Sequence, residues 1–313
     1  MTTTEAGIVE AKELSSTAII SDIEAVGVAY IGEKSVANSG RYGINGGFFN
    51  SLSKPAGELL SITYFSKGET GQKNQKQQAG NGSSRCDQNG KLIEGLCYDK
   101  SKPTNYTRGT MICHQDSNGA LTADVAVIRH IKESKIEEEN IQWAIGGYSL
   151  HLDKSYTDHE YMMKLYVEEH ACSINEVGRG RCTHRSALGF RRTDGKMVLA
   201  SFRSCSVLEV RNAMKHDYQC DIGIMLDGGG SSQISGVGVK TDTSKSNVAP
   251  EIHMDYSFEA QIRRKGKDFK GGRAIYSMVT VNPDTWVDVS SLIVQKVPIP
   301  AAITIGRRSR GRC

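Results

Sequence analysis

One stretch of the sequence combines residue types that can bind an anion and activate water. Residues 222–226 form an apolar run of strand length, and the carboxylate of Asp227 follows at once. The next residues are three glycines and two serines, Gly228, Gly229, Gly230, Ser231 and Ser232. Consecutive glycines cost backbone entropy, so they indicate either positive φ angles or a ligand in close contact. We interpret the stretch as a strand that ends in an anion-binding turn, with Asp227 at the strand end.

Two further segments place a polar side chain beside glycines at a predicted strand. Residues 43–50, Gly-Ile-Asn-Gly-Gly-Phe-Phe-Asn, are typical of a strand interrupted by a glycine pair, with Asn45 just before the pair. Residues 184–190, His-Arg-Ser-Ala-Leu-Gly-Phe, predict another strand with Arg185 near its start. We therefore expect Asn45, Arg185 and Asp227 to converge on one pocket, although they are far apart in the sequence.

Together these three segments resemble the phosphodiester glycosidase family. The family pattern is Asn-Gly-Gly-Phe-Phe, then Arg-Thr-Ala-hydrophobic-Gly, then hydrophobic-Asp-Gly-Gly-Gly-Ser. All of it occurs here in order, with Ser186 where threonine is usual. The resemblance runs from about residue 43 to about residue 235, with a family-like last strand near residues 273–281. It implies a glycoside hydrolase that cleaves the glycosidic bond of a sugar-1-phosphodiester, on a substrate of glycan or wall-polymer type.

That reaction suggests a role for each polar residue. The leaving group is a phosphomonoester, which departs as a stable anion, so the site needs a carboxylate near the sugar and donors for the phosphate. We predict Asp227 as the carboxylate and Arg185 as the phosphate ligand, because a guanidinium binds phosphate oxygens in a two-pronged geometry. Asn45 is predicted to orient a sugar hydroxyl or the attacking water. Substrate and phosphate contacts are predicted for the small residues Gly46, Gly47, Gly228, Gly229, Gly230, Ser231 and Ser232.

Structural alternatives stay open for these residues. Arg185 and Asp227 could form a buried ion pair, and Asn45 could serve only to satisfy nearby backbone. The glycines after Asp227 could make an ordinary tight turn. Phe48 and Phe49 are expected to pack in the core and at its rim rather than to stack on a sugar. No cofactor is predicted, and the sequence leaves a divalent metal ion open.

Two other functions are compatible with the sequence. A phosphodiesterase acting on a nucleic acid or nucleotide would suit the basic runs at residues 263–267 and 307–312, although solvated surface or tail is the favoured interpretation of those runs. A two-metal nuclease would also need clustered carboxylates, which the three motif segments lack. The second alternative is a non-catalytic module that binds carbohydrate or phosphate within a larger particle such as a phage virion.

Composition predicts a folded, glycine-rich protein. The chain has 313 residues, 38% of them hydrophobic, with 33 glycines and a net charge of +4. We predict one domain over residues 1–300, with a polar excursion at about 66–106 and a basic tail at 301–313. No signal peptide or membrane-spanning stretch is evident, which favours a cytoplasmic protein as synthesised, with virion association or release by lysis as the alternative. The sequence does not indicate an oligomeric state.

The secondary-structure pattern predicts an α+β fold, a mixed sheet with packed helices. Capping-box spacings predict one helix from Thr157 to about residue 171 and another from Ser206 to about residue 217. The second helix lies between strands predicted at residues 197–202 and 222–226. That strand, helix, strand order predicts at least one local parallel pair.

Overall fold

Strands make up most of the secondary structure in the computed structural model. It describes residues 16–50, 58–65, 77–79, 85–86, 92–93, 107–169, 171, 182–237, 251–255 and 273–282. The strands of these ranges are β1 (Ser16–Asp22), β2 (Val26–Lys34), β3 (Tyr42–Asn45), β4 (Phe49–Asn50), β5 (Glu58–Leu59), β6 (Thr63–Phe65), β7 (Gln77–Ala79), β8 (Arg85–Cys86), β9 (Leu92–Ile93), β10 (Arg108–Gln115), β11 (Leu121–Ile128), β12 (Ile141–Ser149), β13 (Thr183–Arg191), β14 (Lys196–Cys205), β15 (Ile222–Met225), β16 (Gln233–Val237), β17 (Glu251–Asp255) and β18 (Ile275–Val281). The α-helices are α1 (Asp158–Glu168) and α2 (Val207–Asn212).

Two sheets organise these strands. The larger one has nine strands in the order β1-β14-β13-β15-β12-β10-β11, with β6 paired to β12 and β7 paired to β6. The smaller one has five strands in the order β17-β16-β3-β18-β2. The pairs β4-β5 and β8-β9 form two short ribbons. The strands of all three predicted motifs therefore lie in these two sheets, with β3 in the smaller sheet and β13 and β15 in the larger.

The prediction of a mixed sheet with a local parallel pair was wrong. Every strand pair within the described ranges is antiparallel. Strands β14 and β15 do run in the same direction, but β13 lies between them and pairs antiparallel with each. The chain segment that contains α2 thus crosses over β13, so the strand, helix, strand order does not make its two strands neighbours.

The two faces of the larger sheet bury different partners. Along β13 the side chains alternate: Ala187 packs in a core under the helices, whereas Leu188 and Phe190 pack in a second core. The second core also contains Ile44 and Val279 from the smaller sheet, so it lies between the sheets. The fold is therefore mostly β-sheet, with one sheet stacked on the other and two helices on the outer face of the larger one. The α+β prediction holds only in this coarse form.

Both helices begin where the capping-box spacing predicts. Thr157 accepts a hydrogen bond from the amide of Glu160, and the Glu160 side chain accepts one from the amide of Thr157. Ser206 and Glu209 form the same reciprocal pair at α2. The boxes supply partners for amides that a helix start leaves unsatisfied. After α2 the chain continues as a π-helical turn over Ala213–Asp217, so the predicted end near residue 217 is confirmed.

Several predictions fall outside the described ranges. Most of the polar excursion at 66–106, both basic runs and the tail at 301–313 are not described, so the domain bounds stay predictions. The cysteines Cys113, Cys182, Cys205 and Cys220 are free thiols. No helix in the described ranges is long and apolar enough to cross a membrane.

Gly147 allows β12 and β15 to approach each other just before Asp227. A Cβ atom on Gly147 would lie 2.1 Å from the carbonyl oxygen of Met225 and 3.5 Å from the Cα of Leu226. Both contacts are with backbone, which cannot move without separating the strands. Only glycine therefore fits at this position, next to the strand that carries the candidate carboxylate.

Replacing Gly147 with alanine should lower the free energy of unfolding by about 1–3 kcal/mol or more, because the added methyl group overpacks a backbone contact. Gly27→Ala is the matched control in β2, since its Cβ would lie 3.3 Å from the Thr280 hydroxyl, which can rotate away. That control should change stability by less than about 1 kcal/mol. Urea denaturation measures both variants. Equal stability of the two would contradict the proposed contact.

Candidate active site

Hydrogen bonds from the other two motif segments fix the backbone around Asp227. The amide of Leu226 donates to the carbonyl of Ser186 in β13, at 2.8 Å. The amide of Asp227 donates to the carbonyl of Gly46, at 3.2 Å. The structure therefore brings the three predicted segments together at the end of β15.

The side chain of Asn45 makes the closest connection among them. It is fully buried, and its Nδ2 donates to the carbonyl of Asp227 at 2.8 Å and to the carbonyl of Gly46 at 3.3 Å. Its Oδ1 accepts from the Ser186 hydroxyl at 2.6 Å and from the Gln233 amide at 3.1 Å. A side-chain amide has two donor hydrogens and two acceptor lone pairs, so all four positions are used within the protein. The structure thus places Asn45 as a brace behind Asp227.

Gly46 and Gly47 allow close backbone packing. A Cβ atom on Gly46 would lie 2.3 Å from the Ser277 hydroxyl, and one on Gly47 would lie 2.1 Å from the Ser61 hydroxyl. The amide of Gly46 donates to the carbonyl of Ser277 at 2.8 Å. The Gly46 amide and carbonyl are therefore both bonded inside the protein. The absence of side chains here accounts for the glycine pair without a ligand, and a substrate contact at these residues stays a prediction.

Asp227 is a half-buried residue, and the pKa of its carboxyl is raised to about 6. Burial of the carboxyl is the main cause, because it removes water from the charged form. Three neighbours oppose the rise: the Ser231 hydroxyl, the Arg273 guanidinium and the Gly228 amide, which donates to Oδ1 at 2.9 Å. The Ser231 oxygen lies near the carboxylate without completing a hydrogen bond. Asp227 is therefore a carboxylate that changes charge close to neutral pH.

The turn after Asp227 presents hydrogen-bond donors that the protein does not use. Within the described part of the chain, no acceptor is bonded to the amides of Gly229 and Gly230. Gly229 has a φ of 61°, a conformation that favours glycine. Ser231 and Ser232 are fully buried, and neither hydroxyl has a hydrogen-bond partner. Buried polar groups are usually satisfied, so this cluster of unused donors is the feature expected of a binding site.

Arg185 is buried and its side chain is engaged by neighbouring strands. Its Nε donates to the carbonyl of Cys205 at 3.0 Å, and one terminal nitrogen lies 3.6 Å from the sulfur of Met225. No ion pair joins Arg185 to Asp227, so the alternative of a buried bridge between them is wrong. The backbones are nevertheless close, because a Cβ atom on Gly228 would lie 3.9 Å from the Cα of Arg185. The predicted contact of Arg185 with phosphate stays a prediction.

Arg273 is the residue of the site that the sequence analysis missed. It is partly exposed and close enough to Asp227 to lower the pKa of that carboxyl. A Cβ atom on Gly230 would lie 3.5 Å from the Cδ of Arg273. The residue directly precedes the predicted last strand, but nothing in the local pattern of residues 271–275 indicates that it faces the glycine turn. Only the pairing of β18 with β3 brings it there.

Metal-ligand chemistry is not concentrated near these residues. Across the ranges that the structure describes, no group of three or more His, Cys, Asp or Glu side chains is arranged to hold a metal ion. The His151, Asp153, Asp158, His159 and Glu160 run has the right residue types in the sequence but is not such a group. Among the described residues, the polar groups of the site are thus the Asp227 carboxylate, amide and hydroxyl donors, and arginine.

Two solved structures are similar to this chain over most of its length. One is the zebrafish N-acetylglucosamine-1-phosphodiester alpha-N-acetylglucosaminidase catalytic domain, auto-inhibited by its pro-peptide. It is 17% identical with a TM-score of 0.48, and the match covers 87% of this chain and 84% of that one. Another is a hypothetical protein from Synechocystis, 11% identical with a TM-score of 0.42, where the match covers 86% of this chain and 59% of that one. A comparison with curated proteins gave no match.

A family profile gives the stronger result. The profile described as phosphodiester glycosidase matches residues 38–253, which is well over half of the chain. The matched range contains Asn45, Arg185 and Asp227, together with the glycine turn that follows Asp227. The chain belongs to the phosphodiester glycosidase family.

Proposed function

We propose that this protein is a hydrolase that cleaves the glycosidic bond of a sugar-1-phosphodiester, with a glycan or wall polymer as the type of substrate. Membership of the phosphodiester glycosidase family supports the reaction class. The observation that carries the assignment is the Asp227 carboxylate. Asp227 is half-buried, the pKa of its carboxyl is about 6, and it directly precedes a turn whose Gly229 and Gly230 amides have no acceptor among the described residues.

Asp227 acts as the general base in this proposal. With a pKa of about 6 it is mostly ionised at neutral pH, yet it is a stronger base than an ordinary aspartate. It accepts a proton from the water that attacks the anomeric carbon. As the new carbon–oxygen bond forms, the bond from that carbon to the bridging oxygen breaks, and its electron pair leaves with the phosphate. The leaving group is a stable phosphomonoester anion, so no second carboxyl group has to donate a proton, as an alkoxide leaving group would require.

The glycine turn receives the phosphate. Amides of Gly229 and Gly230 with no protein acceptor can donate to phosphate oxygens, and the nearby Ser231 hydroxyl is a further donor. Fixed donors of this kind stabilise charge as it develops on the leaving group, and they need little reorganisation during the reaction. The carboxylate and the donors are consecutive in the chain, so the anomeric carbon and the phosphate would lie against adjacent residues.

Asn45 is a positioning residue in this proposal. Its side chain holds the carbonyl of Asp227 and is itself held by Ser186 and Gln233. This brace sets where the carboxylate points relative to the glycine turn. The sequence-based role, orienting a sugar hydroxyl or water, would need a hydrogen-bonding position that is already occupied.

The pH dependence tests the role of Asp227. A general base must be ionised, so kcat/KM should rise about tenfold per pH unit below pH 6 and level off above it. Asp227→Asn should lower kcat by about 10²–10⁴-fold. Because the pKa of Asp227 is raised from 3.8 to about 6, its ionisation lowers the stability of the folded protein as the pH rises from about 4 to about 6, and the loss is complete above that range. The Tm of Asp227→Asn relative to wild type should therefore be higher at pH 8 than at pH 4. A folded variant with normal turnover would remove Asp227 from the mechanism.

Asn45→Ala tests the brace, with Ser186→Ala as its matched control. Removing the Asn45 amide leaves buried groups of Asp227, Ser186 and Gln233 without partners, at about 1–3 kcal/mol for each unsatisfied group. Ser186→Ala frees only one acceptor position on Asn45 and should cost about 1 kcal/mol. Urea denaturation should therefore show the larger loss for Asn45→Ala. In a folded Asn45→Ala protein kcat should fall more than KM changes, and a stability equal to that of Ser186→Ala would argue against the brace.

Isotope labelling separates this proposal from the phosphodiesterase alternative. Hydrolysis in ¹⁸O-labelled water should leave the phosphate product unlabelled, because attack occurs at carbon and the bridging oxygen leaves with phosphorus. The phosphate is the safer readout, since the anomeric oxygen of a free sugar exchanges slowly with water. Label in the phosphate would indicate attack at phosphorus and favour a phosphodiesterase. Binding without turnover on a panel of sugar-1-phosphodiesters would favour a non-catalytic binding module.

A further inference from the structure

We propose that Arg273 is the cation that binds the substrate phosphate, between its guanidinium and the amides of Gly229 and Gly230. The proposal rests on the function proposed above and assigns the phosphate subsite within it. The ligand class is a phosphodiester, or the phosphomonoester that it releases. Arg185, the arginine of the sequence motif, instead has a positioning role.

Arg273 lies beside the glycine turn that follows Asp227. A methyl group on Gly230 would lie 3.5 Å from the Cδ of Arg273 and 3.7 Å from one terminal nitrogen. The guanidinium thus faces a glycine whose own amide has no acceptor among the described residues. It also acts on the Asp227 carboxyl electrostatically. Arg273 and the turn therefore border the same space.

No carboxylate of the described residues neutralises the charge of Arg273. Among the described residues, no carboxylate forms an ion pair with it. The guanidinium lies over the ring of Phe49, 5.1 Å from the centroid, and the ring of Phe49 packs against Tyr276 at 5.0 Å. A cation over an aromatic face is held in place while its edge remains able to donate. The Phe49 ring thus packs against one face of the guanidinium, and the N–H groups at the edge of the guanidinium can bind an anion.

The backbone of Arg273 is tied to the brace behind Asp227. Gln233 is almost completely buried, and its Nε2 donates to the carbonyl of Arg273 at 2.8 Å. The backbone amide of the same Gln233 donates to the Oδ1 of Asn45 at 3.1 Å. One residue therefore links the arginine to the side chain that positions the carboxylate. This arrangement ties the backbone of the residue that would bind phosphate to the backbone of the carboxylate that would activate water.

Two buried hydroxyls give an independent indication of a ligand at this place. Ser231 and Ser232 are fully buried next to the turn; among the described residues neither oxygen completes a hydrogen bond, although the Ser231 oxygen lies near the Asp227 carboxyl. Unsatisfied buried hydroxyls cost free energy unless something supplies the missing bond. The Ser231 hydroxyl lies near the Asp227 carboxyl, and Arg273 acts electrostatically on the same carboxyl. A phosphate oxygen at the turn would satisfy donors that the protein leaves unused.

Arg185 has a different environment. It is 6% exposed, and its Nε and one terminal nitrogen are already directed at the carbonyl of Cys205 and the sulfur of Met225. These contacts hold the ends of β13, β14 and β15 together beside Asp227. A two-pronged phosphate contact on Arg185 would compete with these bonds, whereas no described carboxylate forms an ion pair with Arg273 that a phosphate would have to displace.

Binding of inorganic phosphate and methyl phosphate tests the proposal without requiring turnover. Isothermal titration should show that Arg273→Gln weakens both ligands by about 10–100-fold, the value of one charge-assisted hydrogen-bonded contact. Arg129→Gln, which removes an exposed charge paired with Glu133, is the matched control and should bind phosphate as wild type does. Wild-type phosphate affinity in a folded Arg273→Gln protein would overturn the proposal.

Gly230→Ala is a second variant that keeps every charge. Its φ is not positive, and the added methyl group would meet Arg273 at ordinary contact distance, so the protein should fold. The methyl group would occupy the space between the turn and the guanidinium, and phosphate affinity should fall at least about tenfold. Unchanged affinity would place the phosphate elsewhere and overturn the proposal.

The two proposals can fail separately. Phosphate binding that depends on Arg273, together with no hydrolysis of any sugar-1-phosphodiester, would support this subsite and reject the proposed function. Hydrolysis that retains its KM for phosphodiesters in Arg273→Gln would support the proposed function and reject the subsite.

Discussion

The side-chain amide of Asn45 is the interaction on which the arrangement of the site depends. It bonds groups that are 141, 182 and 188 positions away along the chain, in Ser186, Asp227 and Gln233. β3 belongs to the smaller sheet and β13 and β15 to the larger, so this one amide joins the two sheets at the end of β15, where Asp227 lies. Leaving several buried groups unsatisfied costs more than one ordinary hydrogen bond contributes. The geometry of the candidate base is therefore set by the packing of the sheets.

With the backbone of Asp227 held by Asn45, burial is the main factor that sets the pKa of the Asp227 carboxyl. Removal of water raises the pKa of Asp227, and the Ser231 hydroxyl, Arg273 and the Gly228 amide limit the rise to about 6. A close ion pair would make the carboxylate a weaker base. Arg273 lies near enough to act on Asp227 but forms no ion pair with it. That intermediate placement gives both an ionised base and an arginine whose charge remains for an anionic substrate.

The sequence predicts those features that depend on local chemistry or on short motifs. Reciprocal Ser/Thr and Glu pairs at Thr157 and Ser206 predict both helix starts because capping is local. The three motifs predict that distant segments meet at Asp227, and they do. Sequence reasoning failed where pairing across the sheet decides: β13 lies between β14 and β15, so the expected parallel pair does not form. Arg273 was missed for the same reason, since only the packing of β18 beside β3 brings it to the turn.

The most direct measurement is a crystal structure of Asp227→Asn with an intact sugar-1-phosphodiester bound. The substitution keeps the size of the side chain and removes the base, so the substrate should persist. We expect a phosphate oxygen within hydrogen-bonding distance of the Gly229 or Gly230 amide and the anomeric carbon facing residue 227, with Asn45 still bonded to the carbonyl of that residue. A diester whose phosphorus faces residue 227, or one bound away from the glycine turn, would contradict the proposal that this carboxylate directs water to the sugar.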